Sequence, residues 1–207
     1  MAVAKAKTID PWKLKKWYPI LAPEYMNGAF IGETPADSPE RVVGKEVSIS
    51  LAAVTGEIKR QSVNVTFKIT GFDGSNAITK ITKVEVSPSY IKRNVRKEKT
   101  RIDDSFVLKC ADGTDIRIKP FMITKDKINN SKKTLLRKLA KTELKEYVSK
   151  ESCDQIIQDV LTFKLQKILS NSLKRVCPLR TFEARAIEVI RTSEKPAEEK
   201  KEAKTEA

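Results

Sequence analysis

The chain has 207 residues, with 41 Lys plus Arg against 27 Asp plus Glu and no histidine, for a formal charge of +14. The missing histidine removes the commonest general base and a favoured metal ligand, while the charge excess points to a polyanionic partner. An apolar content of 40% suffices for a packed core, and no apolar run approaches the roughly 20 residues that span a bilayer. The polar N-terminus shows no hydrophobic signal segment, so a soluble, cytosolic protein without a membrane partner is expected.

Residues 1–28 are expected to form a basic arm: Lys5, Lys7, Lys13, Lys15 and Lys16 stand beside Trp12, Trp17, Tyr18, Pro19 and Pro23, a mixture suited to extended chain. Period-two alternation then begins. Val47, Ile49, Leu51 and Ala53 predict a half-buried strand, and Val63, Val65, Phe67 and Ile69 predict a second one, before the turn Gly71-Phe72-Asp73-Gly74. A third strand is predicted from Ile78 to Val86, and Asp112-Gly113 predicts a hairpin between strands over 105–111 and 115–123. Five antiparallel strands with this punctuation predict a small antiparallel β-barrel, closed or partly open.

At Asn129 the pattern changes to helical spacing. Leu135, Leu136, Leu139, Ala140, Leu144, Tyr147 and Val148 predict a helix over about 131–149, capped by Ser131, with Leu135, Leu136 and Leu139 inward. A second helical region runs from Ser152 to the stop at Pro178, with a break expected near Thr162. The run Phe182–Ile190 predicts a strand returning to the barrel edge. Residues 193–207 alternate Glu and Lys without a large apolar side chain, so a disordered tail is expected. The fold class is therefore α+β, with one domain over 29–192 whose helical part covers about 129–177.

Candidate chemistry is sparse. Cys110, Cys153 and Cys177 lack any paired spacing and read as buried structural thiols in a reducing compartment. Asp103-Asp104 could ligate a divalent ion, as a metal-dependent nuclease would require, but adjacent acids are commonly turn residues. Neither an enzyme, a metal site nor a cofactor is expected. The basic blocks carry more weight. Lys92, Arg93, Arg96, Lys97, Lys99 and Arg101 face the single acid Glu98 within ten residues, and a second cluster from Lys125 to Lys141 contains Lys127, Lys132, Lys133, Arg137, Lys138 and Lys141. Such crowding is relieved by phosphates, and Lys133, Arg137 and Lys141 recur at helical spacing as a basic stripe. Lys15, Lys16 and Trp17 offer cations beside a ring that could stack on a base or anchor the arm to its own barrel.

Several segments in order carry a resemblance: Lys15-Lys16-Trp17-Tyr18 with Ala22-Pro23, Ile31-Gly32-Glu33-Thr34, the strand start Gly44–Leu51, and Asp112-Gly113 with Arg117, Lys119-Pro120 and Thr124. Leu136-Arg137-Lys138 and Pro178-Leu179-Arg180 with Glu183, Arg185, Glu188 and Val189 complete the set. The chain resembles the archaeal and eukaryotic small-subunit ribosomal protein family whose eukaryotic member is called small-subunit protein 3a. Asn94 and Val95 interrupt a basic loop that in the family usually runs several Arg together. Ala186 stands where a Lys is common. The resemblance implies a β-barrel with appended helices on the platform of the small subunit, structural and without catalytic activity. It implies ribosomal RNA and neighbouring platform proteins as partners, with messenger RNA nearby, and adds Arg180 and Arg185 to the expected RNA contacts. The alternative reading is a free-standing RNA-binding factor that visits the ribosome.

Overall fold

The computed structural model describes residues 11–191; Lys5, Lys7 and the expected disordered tail 193–207 lie outside the described residues. The chain divides after Ser87 into two compact units.

The first unit is a mixed sheet. Its strands are β1 (Lys16–Leu21), β2 (Phe30–Ala36), β3 (Glu46–Ser50), β4 (Val63–Asp73) and β5 (Asn76–Val86), in the order β2-β1-β5-β4-β3. The alternation in β4 turns Val63, Val65, Phe67 and Ile69 into the core. The β4–β5 hairpin closes where Asp73 pairs with Asn76, with Gly74 at φ 59°, in the left-handed region a glycine adopts freely. Both strands are thus present, but β4 runs on through Gly71 and Phe72.

Three expectations are corrected here. Residues 16–21 are not an extended arm: Ile20 is buried with Ala36, Val42, Ile69 and Ala77, and that burial holds β1 inside the sheet. The strand expected from Val47 to Ala53 stops at Ser50, where Leu51–Thr55 form α1, ended by Gly56 at φ 73°. The small Ala52 and Ala53 fit either period, and buried Leu51 decides for the helix. The barrel is absent. β1 lies parallel to β5, Ile20 opposite Ala77 and Leu21 opposite Ile78, and among the described residues no pairing joins the end strands β2 and β3. Of the five strands expected to close together, the last two belong to the second unit.

That unit contains α2 (Pro88–Asn94), β6 (Arg101–Asp103), β7 (Phe106–Lys109), β8 (Asp115–Thr124), α3 (Asn130–Lys150), α4 (Cys153–Leu161), α5 (Lys164–Leu173) and β9 (Leu179–Arg191). The Asp112-Gly113 hairpin is present, Lys109 pairing with Asp115 and Gly113 at φ 75°. The chain from 101 to 109 lies antiparallel along one edge of β8, and β9 lies antiparallel along the other. Pro120 explains two irregularities. It has no N–H to donate, and the edge opposite it breaks between β6 and β7 at Asp104-Ser105, while β9 shifts register between Ala184 and Ala186. Arg185 is thereby left exposed between two buried alanines.

The helices cover this sheet, α3 packing on β7 and α5, and α5 on β9. The buried line of α3 is Leu136, Ala140, Leu144 and Val148, at strict four-residue spacing, whereas Leu135 is 47% exposed, correcting its expected inward position. Asn129, not Ser131, takes the N-cap position, and Lys133 N–H donates to its carbonyl oxygen (3.1 Å). The break near Thr162 is present: α4 ends there and Phe163 adopts φ 59° before α5 begins. Leu144 is fully buried, so Leu144→Ala should cost about 2–5 kcal/mol, read as a lower denaturant midpoint at unchanged slope.

The fold also brings together two cysteines that are distant in sequence. The buried Cys110 thiol is hydrogen-bonded with Cys153; that bond and burial push its pKa far above the usual thiol range, so it stays protonated. A cysteine nucleophile at this position has no physical support.

Candidate nucleic-acid interface

Two basic segments thirty residues apart in sequence meet in the second unit because two threonines tie them. Thr100 N–H donates to Thr124 Oγ1 (3.1 Å), and Thr124 N–H donates to the Thr100 carbonyl (3.0 Å). The Thr124 hydroxyl donates to the carbonyl of Asp126 (2.6 Å), and Ile128 N–H donates to Thr100 Oγ1 (3.1 Å). Both threonines are buried. The loop entering β6 is thus fixed against the loop leading into α3. Between them opens a cavity of about 340 Å³ lined by Glu98, Lys99, Thr100, Arg101, Lys127 and Lys133.

From that cavity, successive turns of α3 follow the chain toward β7. Lys133 lines the cavity, Arg137 Nε lies 3.3 Å from Asp104 Oδ1, and Lys141 Nζ stands 5.8 Å from the centre of the Phe106 ring. The basic stripe expected on α3 exists, but two of its three members turn onto the protein's own groups. Arg101 is also held, Nε 2.5 Å from Asp103 Oδ2 and its guanidinium 5.5 Å from the Phe121 ring centre. Asp103 and Asp104 therefore serve arginines, and among the described residues no cluster of three or more acids and cysteines suited to a metal is formed. Burial raises the pKa of Asp104, partly offset by Arg137. Lys92, Arg96, Lys97, Lys132 and Lys138 are exposed, and among the described residues no ion pair neutralises them.

The helix carrying Lys92 and Arg93 is anchored through Tyr90. Its hydroxyl donates to Glu183 Oε1 on β9 (3.4 Å), and Arg93 lies 5.5 Å from the Tyr90 ring centre. Burial raises the pKa of the Glu183 carboxyl, and the Tyr90 bond pulls it the other way. A carboxyl whose folded pKa exceeds its unfolded one stabilises at acid pH, and that stability is lost as pH rises through the folded value. Glu183→Gln still accepts from Tyr90. It should melt higher than the parent at pH 7, with the difference vanishing at low pH, as thermal unfolding across pH would show.

Arg180 is the second residue of β9, at the end of the sheet where Leu179 pairs with Thr124 and Lys125 N–H donates to the Pro178 carbonyl (3.0 Å). It therefore sits at the cavity's end of this sheet, and Arg185 lies further along β9. Lys15, Lys16 and Trp17 belong to the first unit. Lys15 Nζ stands 4.4 Å from the Trp12 ring centre, and Trp17 is 60% exposed, so Trp17 does not anchor this segment to its own sheet. Tyr18 does so instead, edge-on to Phe72 at 5.5 Å. Sequence reasoning gave Thr100 and Thr124 no part in the interface and named Lys127 only as one member of a basic cluster. Lys127 carried a signal within its basic cluster, but hydroxyls that clamp two loops resemble any other threonine.

Among the described residues no helix is long and apolar enough to cross a membrane. The ribosomal S3Ae family profile matches residues 3–193. The chain is 32% identical to the small ribosomal subunit protein eS1 of Archaeoglobus fulgidus over 89% of each chain. It is likewise 32% identical to that of Pyrobaculum arsenaticum, over 92% of this chain and 89% of the relative. The protein of the same name from Desulfurococcus amylolyticus is 28% identical over 86% and 84%. With nearly its whole length matched, basic segments and helices included, the chain belongs to the ribosomal S3Ae family.

Proposed function

We propose that the chain is a structural constituent of the small ribosomal subunit in the cytoplasm, and not an enzyme. The observation that carries this reading is the family match over residues 3–193, together with relatives of similar length named small ribosomal subunit proteins. In this reading ribosomal RNA is bound chiefly through phosphates. The contacts centre on Lys99, Arg101, Lys127 and Lys133, extend to Lys92, Arg93, Arg96, Lys97, Lys132 and Lys138, and reach Arg180 and Arg185. Lys15, Lys16 and Trp17 form a separate contact of the first unit, with the exposed indole available to stack on a base. Arg137 and Lys141 are secondary, because neither lines the cavity and each already faces Asp104 or Phe106. In this reading the site lies on the platform, beside neighbouring ribosomal proteins and near the messenger exit.

Sedimentation of a gently lysed extract tests this. Near-stoichiometric presence in small subunits and translating ribosomes, resistant to a high-salt wash, is the expected result. Presence only in free fractions, or release by mild salt, would instead identify a transient RNA-binding factor.

A further inference from the structure

Within the cavity, the acid is harder to explain than the cations. Glu98 is exposed, stands between Lys97 and Lys99, and makes no ion pair among the described residues. Its backbone is at φ 63°, in the left-handed region that residues with a β-carbon rarely adopt. A carboxylate only accepts hydrogen bonds, so next to a bare phosphate it would be repulsive. It becomes favourable if the bound strand brings a donor. The ribose 2′-hydroxyl of RNA is such a donor, and DNA has none at that position.

We propose that the cavity takes one nucleotide unit of an RNA strand, its phosphate against Lys99, Arg101, Lys127 and Lys133 and its 2′-hydroxyl donating to Glu98. The proposal rests on the RNA-binding reading above and adds a determinant that distinguishes ribose from deoxyribose. The volume of about 340 Å³ is at the small end of the range, about 300–1,000 Å³, in which pockets hold small ligands. Arg101 is already oriented by Asp103 and Phe121, so one planar donor is fixed before the strand arrives. The Thr100 hydroxyl accepts from Ile128 N–H and holds the wall in place.

The test is fluorescence anisotropy at low salt with an end-labelled decamer of uridylate and its deoxyuridylate counterpart, which differ only at the 2′ position. The full chain should bind the RNA about tenfold more tightly, the range of a hydrogen bond to a charged group. Glu98→Ala keeps a β-carbon on the same backbone. It should weaken RNA binding about tenfold and leave DNA binding unchanged or tighter, erasing the preference. Lys127→Ala with Lys133→Ala should weaken both strands alike. If Glu98→Ala does not fold, Glu98→Gly, which relaxes the positive φ, should give the same loss of preference. Absence of a preference in the parent chain, or equal tightening of both strands by Glu98→Ala, overturns the proposal. Sedimentation run in parallel separates the two readings. A parent chain that enters small subunits yet does not discriminate ribose overturns the cavity assignment alone, and one that never enters them overturns the ribosomal reading on which it rests.

Discussion

Replacing Arg96, Lys97 and Lys99 together by Glu should prevent incorporation into small subunits while the isolated chain keeps its melting temperature within about 2 °C. Surface substitutions away from caps and buried networks change stability by about half a kcal/mol or less, and these three side chains make no ion pair among the described residues. On RNA the effect is large, because three attractive charges become three repulsive ones on the loop that carries Lys99 into a cavity already lined by cations. The corresponding triple Ala substitution gives a quantitative check. Each lost phosphate contact reduces the slope of log affinity against log salt by about 0.7–0.9, so the slope should fall by about 2–3 on a folded RNA fragment. Normal incorporation of the Glu variant would remove this loop from the interface.

Thr124→Val should have the second large effect, through the scaffold rather than through charge. The substitution keeps the shape but leaves Thr100 N–H and the Asp126 carbonyl without the partners that Thr124 Oγ1 supplies. Each orphaned buried group costs about 1–3 kcal/mol, so a loss of about 2–4 kcal/mol is expected, measurable by denaturant unfolding. RNA affinity should fall as well, although no charge has changed, because the Lys99–Arg101 segment loses its fixed position relative to Lys127 and Lys133. Thr124→Ser, which restores the hydroxyl, should recover most of both.

These two predictions differ in how far the sequence foreshadows them. The basic loop is visible as six cations around Glu98, and strand β4, the Asp112-Gly113 hairpin, the broken helix at Thr162 and the returning strand β9 follow from periodicity and turn chemistry. The clamp does not, because a threonine that bonds backbone groups 24 residues away carries no local pattern. Nor does the parallel pairing of β1 with β5, since strand period reports which face is buried and not which neighbour lies alongside. The barrel expectation failed for that reason. Five apolar alternations fit a closed sheet and an open one equally well, and only long-range pairing decides. On α3, spacing located Lys133, Arg137 and Lys141 on one line, but two of them are occupied by Asp104, on the break opposite Pro120, and Phe106, at the start of β7.

Lysine acetylation of intact small subunits, compared with the free chain and read by mass spectrometry, reports whether the cavity lysines face RNA. Lys97, Lys99, Lys127 and Lys133 should react in the free protein and be strongly protected in the subunit, and peptides bearing them should form RNA adducts on ultraviolet irradiation. Equal reactivity of these four lysines in both states, with adducts confined to other segments, would contradict it.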